Sequence, residues 1–448
     1  MDVIIIGAGI AGLVAAHELT QAGINPVVIE ARDRIGGRIH TLADKNISAP
    51  IELGAEFVHG RPHEIFDLAR SVGIEIVETQ GKFWYLTKDR HLVPAGDEPP
   101  GSDQDIWDKI ERYTDENKQD ISLEQFLDLP ESRSIGPKDR ESLRRFVSGF
   151  HAAETDKVGI RGLIKTSKAE EAIQGDKAFR IPAGYNHLAQ CLYDSALKAG
   201  ATFILDSPVR NVSWRAGSVA VTAETNGGSE QLNASATIVT LPLGVLKASP
   251  GSSGHVRFDP QLEIKKPVFD MLHMGSARRI VLAFWSKWWN ERLKQLKPGD
   301  QTLGFLFASD VPISVWWSSE PFKAPLLTGW AGGEKALGMA ARSDTQAIET
   351  GINSLSQIFK VPRNLIESEL ISAHTYNWQT DIYSLGAYSY PGVGGAEAPD
   401  QLAANIENTL YFAGEATSTD GHWGTVHGAL ASGVRAAREL IGNLGSAA

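Results

Sequence analysis

The feature that most constrains this chain stands at its start. A four-residue apolar run, Val3 to Ile6, meets Gly7-Ala8-Gly9-Ile10-Ala11-Gly12, and from Gly12 to Ala22 the residues Leu13, Ala16 and Leu19 recur at helical spacing. A second short strand-like run, Asn25 to Glu30, follows. This order is a β-α-β unit with G-x-G-x-x-G at its first turn, where glycines permit a tight turn, approach of backbone to a pyrophosphate, and close packing of helix on strand. The helix N-terminus then presents free N–H groups and partial positive charge to phosphate. Glu30 closes the second strand, where a carboxylate accepts ribose hydroxyls and repels a 2′-phosphate. The competing reading is a glycine turn followed by a surface glutamate.

At 448 residues the chain is long enough for two interleaved domains rather than one core. Its net charge of −11 argues against nucleic acid and anionic membrane surfaces as partners. Cys191 is the single cysteine, so an internal disulfide and a multi-thiolate metal site are excluded, and a reducing, cytoplasmic setting is expected. It falls in a helix-like run, Leu188 to Leu197, and reads as a small buried apolar residue. The Val3 to Ile6 run is too short for a signal peptide, and neither the C-terminal Leu440 to Ala448 nor any other stretch approaches the ~18 apolar residues of a membrane span. His422 and His427 sit in a glycine-rich stretch without the pattern of a metal site, so no metal is expected.

Further strands are expected at Phe203 to Leu205, Val209 to Val212, Ser218 to Ala223, Ala236 to Thr240 and Thr409 to Ala413. Lys82 to Val93 reads as a hairpin, and Pro94 to Arg140 as a polar, proline-punctuated stretch with a helical piece at Ile106 to Tyr113. A second sheet is expected from Arg279 through Trp330, with helices at Asp344 to Phe359 and Val426 to Leu440.

After the first motif the chain continues Glu30-Ala31-Arg32-Asp33-Arg34-Ile35-Gly36-Gly37-Arg38, which resembles the flavin-containing amine oxidases, the group that includes monoamine oxidases, polyamine oxidases and lysine-specific histone demethylase. The likeness extends to Glu52 through Gly60, Arg180 to Leu188, Pro208-Val209, Thr240 to Lys247, Tyr411 to Ala416 and Gly424 to Ala429. It implies an α/β fold: a Rossmann-like FAD-binding domain of the glutathione-reductase/amine-oxidase type, built from residues 1–80, 180–245 and 395–448. A second, α+β substrate domain with a mixed sheet plus helices would take 81–179 and 246–394. The implied FAD contacts are Gly7, Gly9, Ala11 and Gly12 at the first turn, Glu30, Ala31 and Arg32 after the second strand, and Gly37 and Arg38 at the pyrophosphate. Gly54, Ala55, Glu56 and Phe57 would lie beside the flavin, Val209 at adenine, and Gly414, Glu415, Thr425 and Val426 at the ribityl chain and pyrimidine. Monoamine oxidases attach flavin through a cysteine near this last motif; none occurs here, which implies noncovalent FAD.

The implied chemistry is loss of a hydride from the carbon beside an amine nitrogen, hydrolysis of the imine, and reoxidation by molecular oxygen to hydrogen peroxide, on a small-molecule amine. Many members place a lysine in the segment resembling Met274 to Phe284; the matching residue here is Arg279, which stays protonated and serves as a fixed charge rather than a base. Its alternative is a strand-end arginine paired to a carboxylate. Tyr388 and Thr425 match the positions that flank the amine, and Trp378, Tyr390 and His59 are implied pocket residues, each also explicable by packing or exposure. An L-amino-acid oxidase, with Arg279 holding the carboxylate, and a desaturase are alternatives on the same scaffold. A non-catalytic or chromatin-type flavoprotein is disfavoured by the absence of a coiled-coil insertion and by the acidic charge.

Overall fold

The computed structural model describes residues 3–94, 104–117, 119–299 and 301–446. The expected strand start at Asp2, residues 95–103 of the polar stretch, and the end of the C-terminal tail at Ala447 and Ala448 lie outside them.

The first β-α-β unit sits at the heart of a five-stranded parallel sheet, in the spatial order Thr202–Ile204, Val27–Ile29, Val3–Ile6, Ala236–Val239, Leu410–Phe412. Alternation along one strand explains why it is apolar throughout. Val3 and Ile5 face the helices Ile10–Gln21, Asn186–Lys198 and Val426–Ser446. Ile4 and Ile6 face a four-stranded sheet made of Val209–Arg215, Ser218–Thr225, Gly228–Ala234 and Arg257–Asp259. A strand covered on both faces has no polar side to show. Two glycines make the first turn possible. Gly7 has φ +107°, and a Cβ on Gly12 would run into the Gly7 carbonyl.

The larger sheet is seven-stranded and mixed: Leu370–Asn377, Ala277–Phe284, Leu326–Gly332, Val315–Ser318, Leu303–Phe307, Lys82–Leu86, Leu92–Pro94. Its pairings are antiparallel except that of Leu303–Phe307 with Lys82–Leu86. The helix Asp344–Phe359 packs on it through Ile352, Leu355 and Ile358, against Ile280, Leu282 and Trp316. The helices Gln104–Glu116, Leu123–Asp128, Pro137–Gly149 and Ile160–Ala172 form a separate core around Phe126, Leu143 and Ile160. Among the described residues no helix is long and apolar enough to cross a membrane.

Two expectations need correction. Cys191 is partly exposed rather than buried, because it lies beside the inward stripe of Leu188, Ala189, Leu192 and Ala196 on its helix. The strand Arg257–Asp259 pairs in parallel with Val209–Arg215, so sheet structure of the first half of the molecule continues past residue 245.

Candidate functional site

One cavity of about 2130 Å³ joins the glycine turn to the large sheet. At its first end Gly9 precedes the helix Ile10–Gln21 with no side chain capping it, so the first-turn N–H groups are left for a ligand. Glu30 accepts from the backbone N–H of Ala8 at 2.7 Å through one oxygen and from that of Arg32 at 2.9 Å through the other. Each oxygen keeps a lone pair for a ribose hydroxyl. Ala31 and Arg32 line the same end, and Arg32 is held by Asp381 at 2.5 Å. Arg34 donates to the carbonyls of Ile35, Gly37 and Ile39, which fixes the Gly36-Gly37 loop against Gly9.

In the middle of the cavity Arg38 meets Glu415 at 2.8 Å. Glu415 is 5 % exposed, and its other oxygen accepts from the hydroxyl and the N–H of Ser389 and from the N–H of Gly424. With four donors already placed, its carboxylate holds Arg38 and the Gly424 turn at the cavity wall. Thr425 donates its hydroxyl to the His422 carbonyl at 2.7 Å and accepts from the Gly428 N–H at 3.0 Å, so it caps the helix Val426–Ser446. That helix points its N-terminus at the cavity, where Gly414, Thr425 and Val426 form the wall. Gly7, Gly9, Ala11, Gly37, Gly54, Ala55 and Val209 also line the cavity, whereas Gly12 stands behind it against Gly7 and Thr240.

The second end is an aromatic chamber. Arg279 projects from Ala277–Phe284 and is 5 % exposed. Its guanidinium lies 5.4 Å from the Trp317 ring centroid and 5.7 Å from that of Trp330, donates to the Glu52 carbonyl at 2.9 Å, and pairs with Glu56 at 3.2 Å. Glu56 also takes Arg180 at 2.9 Å and the Trp317 indole N–H at 3.0 Å. Burial draws the Arg279 pKa down, and the carboxylates of Glu56 and Glu52 oppose it; a guanidinium starts so high that it stays charged. Burial pushes Glu52 up to about 7. Glu56 is thus shared by two arginines, and the Glu52 carboxyl lies within electrostatic reach of both.

Alternation places the neighbouring Arg278 on the opposite face of the strand, where it pairs with Asp344 at 2.6 Å. Tyr388 lines the chamber and donates its hydroxyl to the Phe150 carbonyl, with its phenol pKa raised by burial. Trp378 donates to the Leu53 carbonyl at 2.9 Å and packs on Tyr376. His59 follows Phe57 and sits edge-on to Phe150; burial lowers its pKa to about 4, so it is neutral. Tyr390 touches the cavity edge, but its ring stacks on His273 and its hydroxyl accepts from the Glu154 N–H. The expected residues Arg279, Tyr388, Thr425, Trp378, His59 and Tyr390 thus all line one cavity. Arg180, Trp317, Trp330, Phe305, Phe307 and Phe150 line or support it without having been singled out. Strand register pairs Arg279 with Trp330 and Phe305 with Trp317.

The dinucleotide-shaped end fits FAD: open N–H groups, a glycine turn, and a carboxylate with free lone pairs. Among the described residues no group of histidine, cysteine and carboxylate side chains can hold a metal ion.

Comparison with known proteins agrees. Residues 10–441 match the family model described as flavin containing amine oxidoreductase. Polyamine oxidase 4 of Oryza sativa subsp. japonica is 30 % identical over 98 % of this chain and 88 % of its own length. Polyamine oxidase 2 of Arabidopsis thaliana is 28 % identical over 98 % and 87 %. In fold, the chain is similar to wild-type putrescine oxidase bound to putrescine, with a TM-score of 0.78 at 20 % identity over 98 % of this chain and 99 % of that one. Cyclohexylamine oxidase from Brevibacterium oxydans IH-35A gives 0.77 at 20 % identity over 99 % of both. The chain therefore belongs to the flavin-containing amine oxidoreductases, as an FAD-dependent enzyme of amine oxidation.

Proposed function

We propose that this enzyme is an oxidase that takes a hydride from the carbon beside an amine nitrogen and passes the electrons to molecular oxygen, giving an imine, then an aldehyde or ketone, and hydrogen peroxide. The observation that carries this reading is the single cavity that runs from the Gly7 turn and Glu30 to the Arg279 chamber. Noncovalent FAD would lie along the first part, its phosphates at the helix Ile10–Gln21 and Arg38, and its reactive ring between the Thr425 helix and Arg279. The flavin supplies the two-electron chemistry.

The chain's residues then have three tasks. Tyr388 and Trp378 wall the substrate and exclude water. Arg279, locked by Glu56 and two indoles, keeps a preorganised positive charge beside the place where negative charge develops on the cofactor. Thr425 holds the helix N-terminus that adds partial positive charge at the pyrimidine. Because Arg279 cannot take a proton, the substrate nitrogen must give up its proton elsewhere before hydride loss.

We also read the chain as two domains, a Rossmann-like one from three segments and a substrate domain around the seven-stranded sheet, with the second boundary moved beyond Asp259. The lone cysteine supports a cytoplasmic setting.

A peroxide-coupled screen of amines, polyamines and amino acids on the yellow holoprotein tests the reading. Peroxide formation with amines supports it; flavin that no amine reduces refutes it, and turnover of amino acids alone would replace it with the amino-acid oxidase alternative.

A further inference from the structure

Between the strands Leu370–Asn377 and Ser389–Pro391 the chain leaves the sheets, and residues 378–388 pass along the cavity in turns and bends. Tyr383 and Ser384 line the cavity beside Arg32, whose guanidinium donates to the Ser384 hydroxyl at 3.0 Å and lies 5.3 Å from the Tyr383 ring centroid. Trp378 and Tyr388, from the two ends of the same stretch, wall the chamber.

No helix or strand sets this stretch, so links to its surroundings must. Three residues of the nucleotide motifs supply them. Arg38 donates to the Ala387 carbonyl at 2.7 Å, Glu415 accepts from the hydroxyl and the N–H of Ser389, and Arg32 meets Asp381 at 2.5 Å. Backbone packs closely as well: a Cβ on Gly254 would run into the Ile382 carbonyl, and one on Gly244 into those of Ser384 and Leu385.

Asp381 is where the links converge, although it stands behind the cavity wall rather than on it. One carboxylate oxygen accepts from the Arg32 guanidinium and, at 3.0 Å, from the Tyr383 N–H; the other accepts from the Tyr376 hydroxyl. Its backbone carbonyl accepts from the N–H groups of Ser384 and Leu385, at 3.1 and 2.8 Å, which closes the turn. Tyr376 packs on Trp378 with ring centroids 4.3 Å apart, and the Trp378 carbonyl accepts from the Gly386 N–H at 2.9 Å, two residues before Tyr388. Glu30 joins from the other side, since its carboxylate accepts from the Arg32 N–H. The Arg32 and Asp381 side chains are 11 and 10 % exposed, so solvent ions screen their attraction little.

We propose that Asp381 is a positioning residue. Held by Arg32 at the nucleotide end, it sets Tyr376, Trp378 and the turn that leads to Tyr388, so that the nucleotide end of the FAD site fixes the wall beside the reactive ring. The inference rests on the placement of the flavin ring given above, and it adds the residue that couples the two ends of the site.

The spectrum of bound flavin reads the far end of this link. Indole and phenol rings beside a flavin shift its visible absorption and quench its emission, so Trp378→Phe is expected to raise the emission of the holoprotein. With FAD saturating, Asp381→Asn, a change of nearly the same shape behind the cavity wall, is expected to raise it to about the same level. Arg32→Met, which leaves Asp381 in place, should do likewise, and the double variant should go no further, because both changes cut one connection. Absorption and emission unchanged in Trp378→Phe would refute the placement of the ring, and the coupling with it. A spectrum altered in Trp378→Phe but at wild type in Asp381→Asn, or effects of Arg32→Met and Asp381→Asn that add in the double variant, overturns the role of Asp381 alone. The oxidase reading is tested separately, by peroxide formation.

Discussion

Arg279 and Glu56 meet at 3.2 Å on the chamber wall, and the same carboxylate holds Arg180 at 2.9 Å on its other oxygen. Trp317 serves both partners, donating its indole N–H to Glu56 and lending its ring to the Arg279 guanidinium. The two readings open for Arg279 are therefore joined: it is an ion-paired strand arginine, and it is a charge at the cavity. Pairing orients it, and Arg180 is the second cation on the same carboxylate.

Acid precipitation of the purified protein should release its yellow colour into the supernatant. The sequence has no cysteine beside the Tyr411 to Ala416 segment, and Cys191 lies on the helix Asn186–Lys198, remote from that segment in sequence. Colour retained in the pellet would contradict noncovalent binding.

Glu30→Ala and Glu415→Ala should each bind FAD more weakly, for different reasons. The first removes an acceptor expected to meet ribose; the second strands Arg38 and the N–H groups of Ser389 and Gly424. At about 1–3 kcal/mol for each unsatisfied group, the dissociation constant should rise roughly five- to more than a hundredfold. Fluorescence titration of apoprotein with FAD measures it, and unchanged constants in both variants would remove these roles.

Gly12→Ala should damage the fold itself. Its Cβ would enter the space of the Gly7 carbonyl, so the helix Ile10–Gln21 must move off the sheet. Overpacking of this kind costs about 1–3 kcal/mol, visible as a lower Tm in apoprotein as well as holoprotein. Gly9→Ala, where a Cβ meets nothing within 4 Å, should leave the apoprotein Tm nearly unchanged.

Stability should fall in mild acid through sheltered neutral histidines, His427 buried and His59 and His151 half-buried. Burial lowers His59 and His151 to about 4 and His427 to about 3, against an ordinary value near 6.5. A folded-state pKa below the unfolded one means that the unfolded chain takes up protons first as pH falls, so stability is full above about pH 6.5 and is lost progressively toward pH 4. Differential scanning fluorimetry should show Tm dropping over that window, and His427→Gln should flatten the slope. A Tm that is level from pH 7 to pH 4.5 would contradict the neutral assignment.

How much of this was legible beforehand depended on burial. Val3 to Ile6 announces itself because both faces are covered, and the helix Asp344–Phe359 because it carries a capping box at Ser343 and Gln346 before an apolar stripe. Gly228–Ala234 does not, since it is a polar edge strand with almost every side chain in solvent. Within the site, the sequence motifs and Arg279 could be named one by one, and most of those residues lie on the cavity wall. The indoles around Arg279 could not: Trp317 and Trp330 come from Val315–Ser318 and Leu326–Gly332, and only strand pairing brings them to the guanidinium.

The central claim, that a fixed charge at Arg279 assists electron transfer in this cavity, is tested most directly by stopped-flow half-reactions of Arg279→Met and Arg279→Lys with the best amine substrate. The account predicts that Met keeps FAD bound and slows either flavin reduction by the amine or reoxidation by oxygen by about tenfold or more, the size of one preorganised electrostatic contact, while Lys retains more activity than Met. Wild-type rates for both half-reactions in Arg279→Met would contradict it, leaving Arg279 as an ion-pair residue of the Ala277–Phe284 strand.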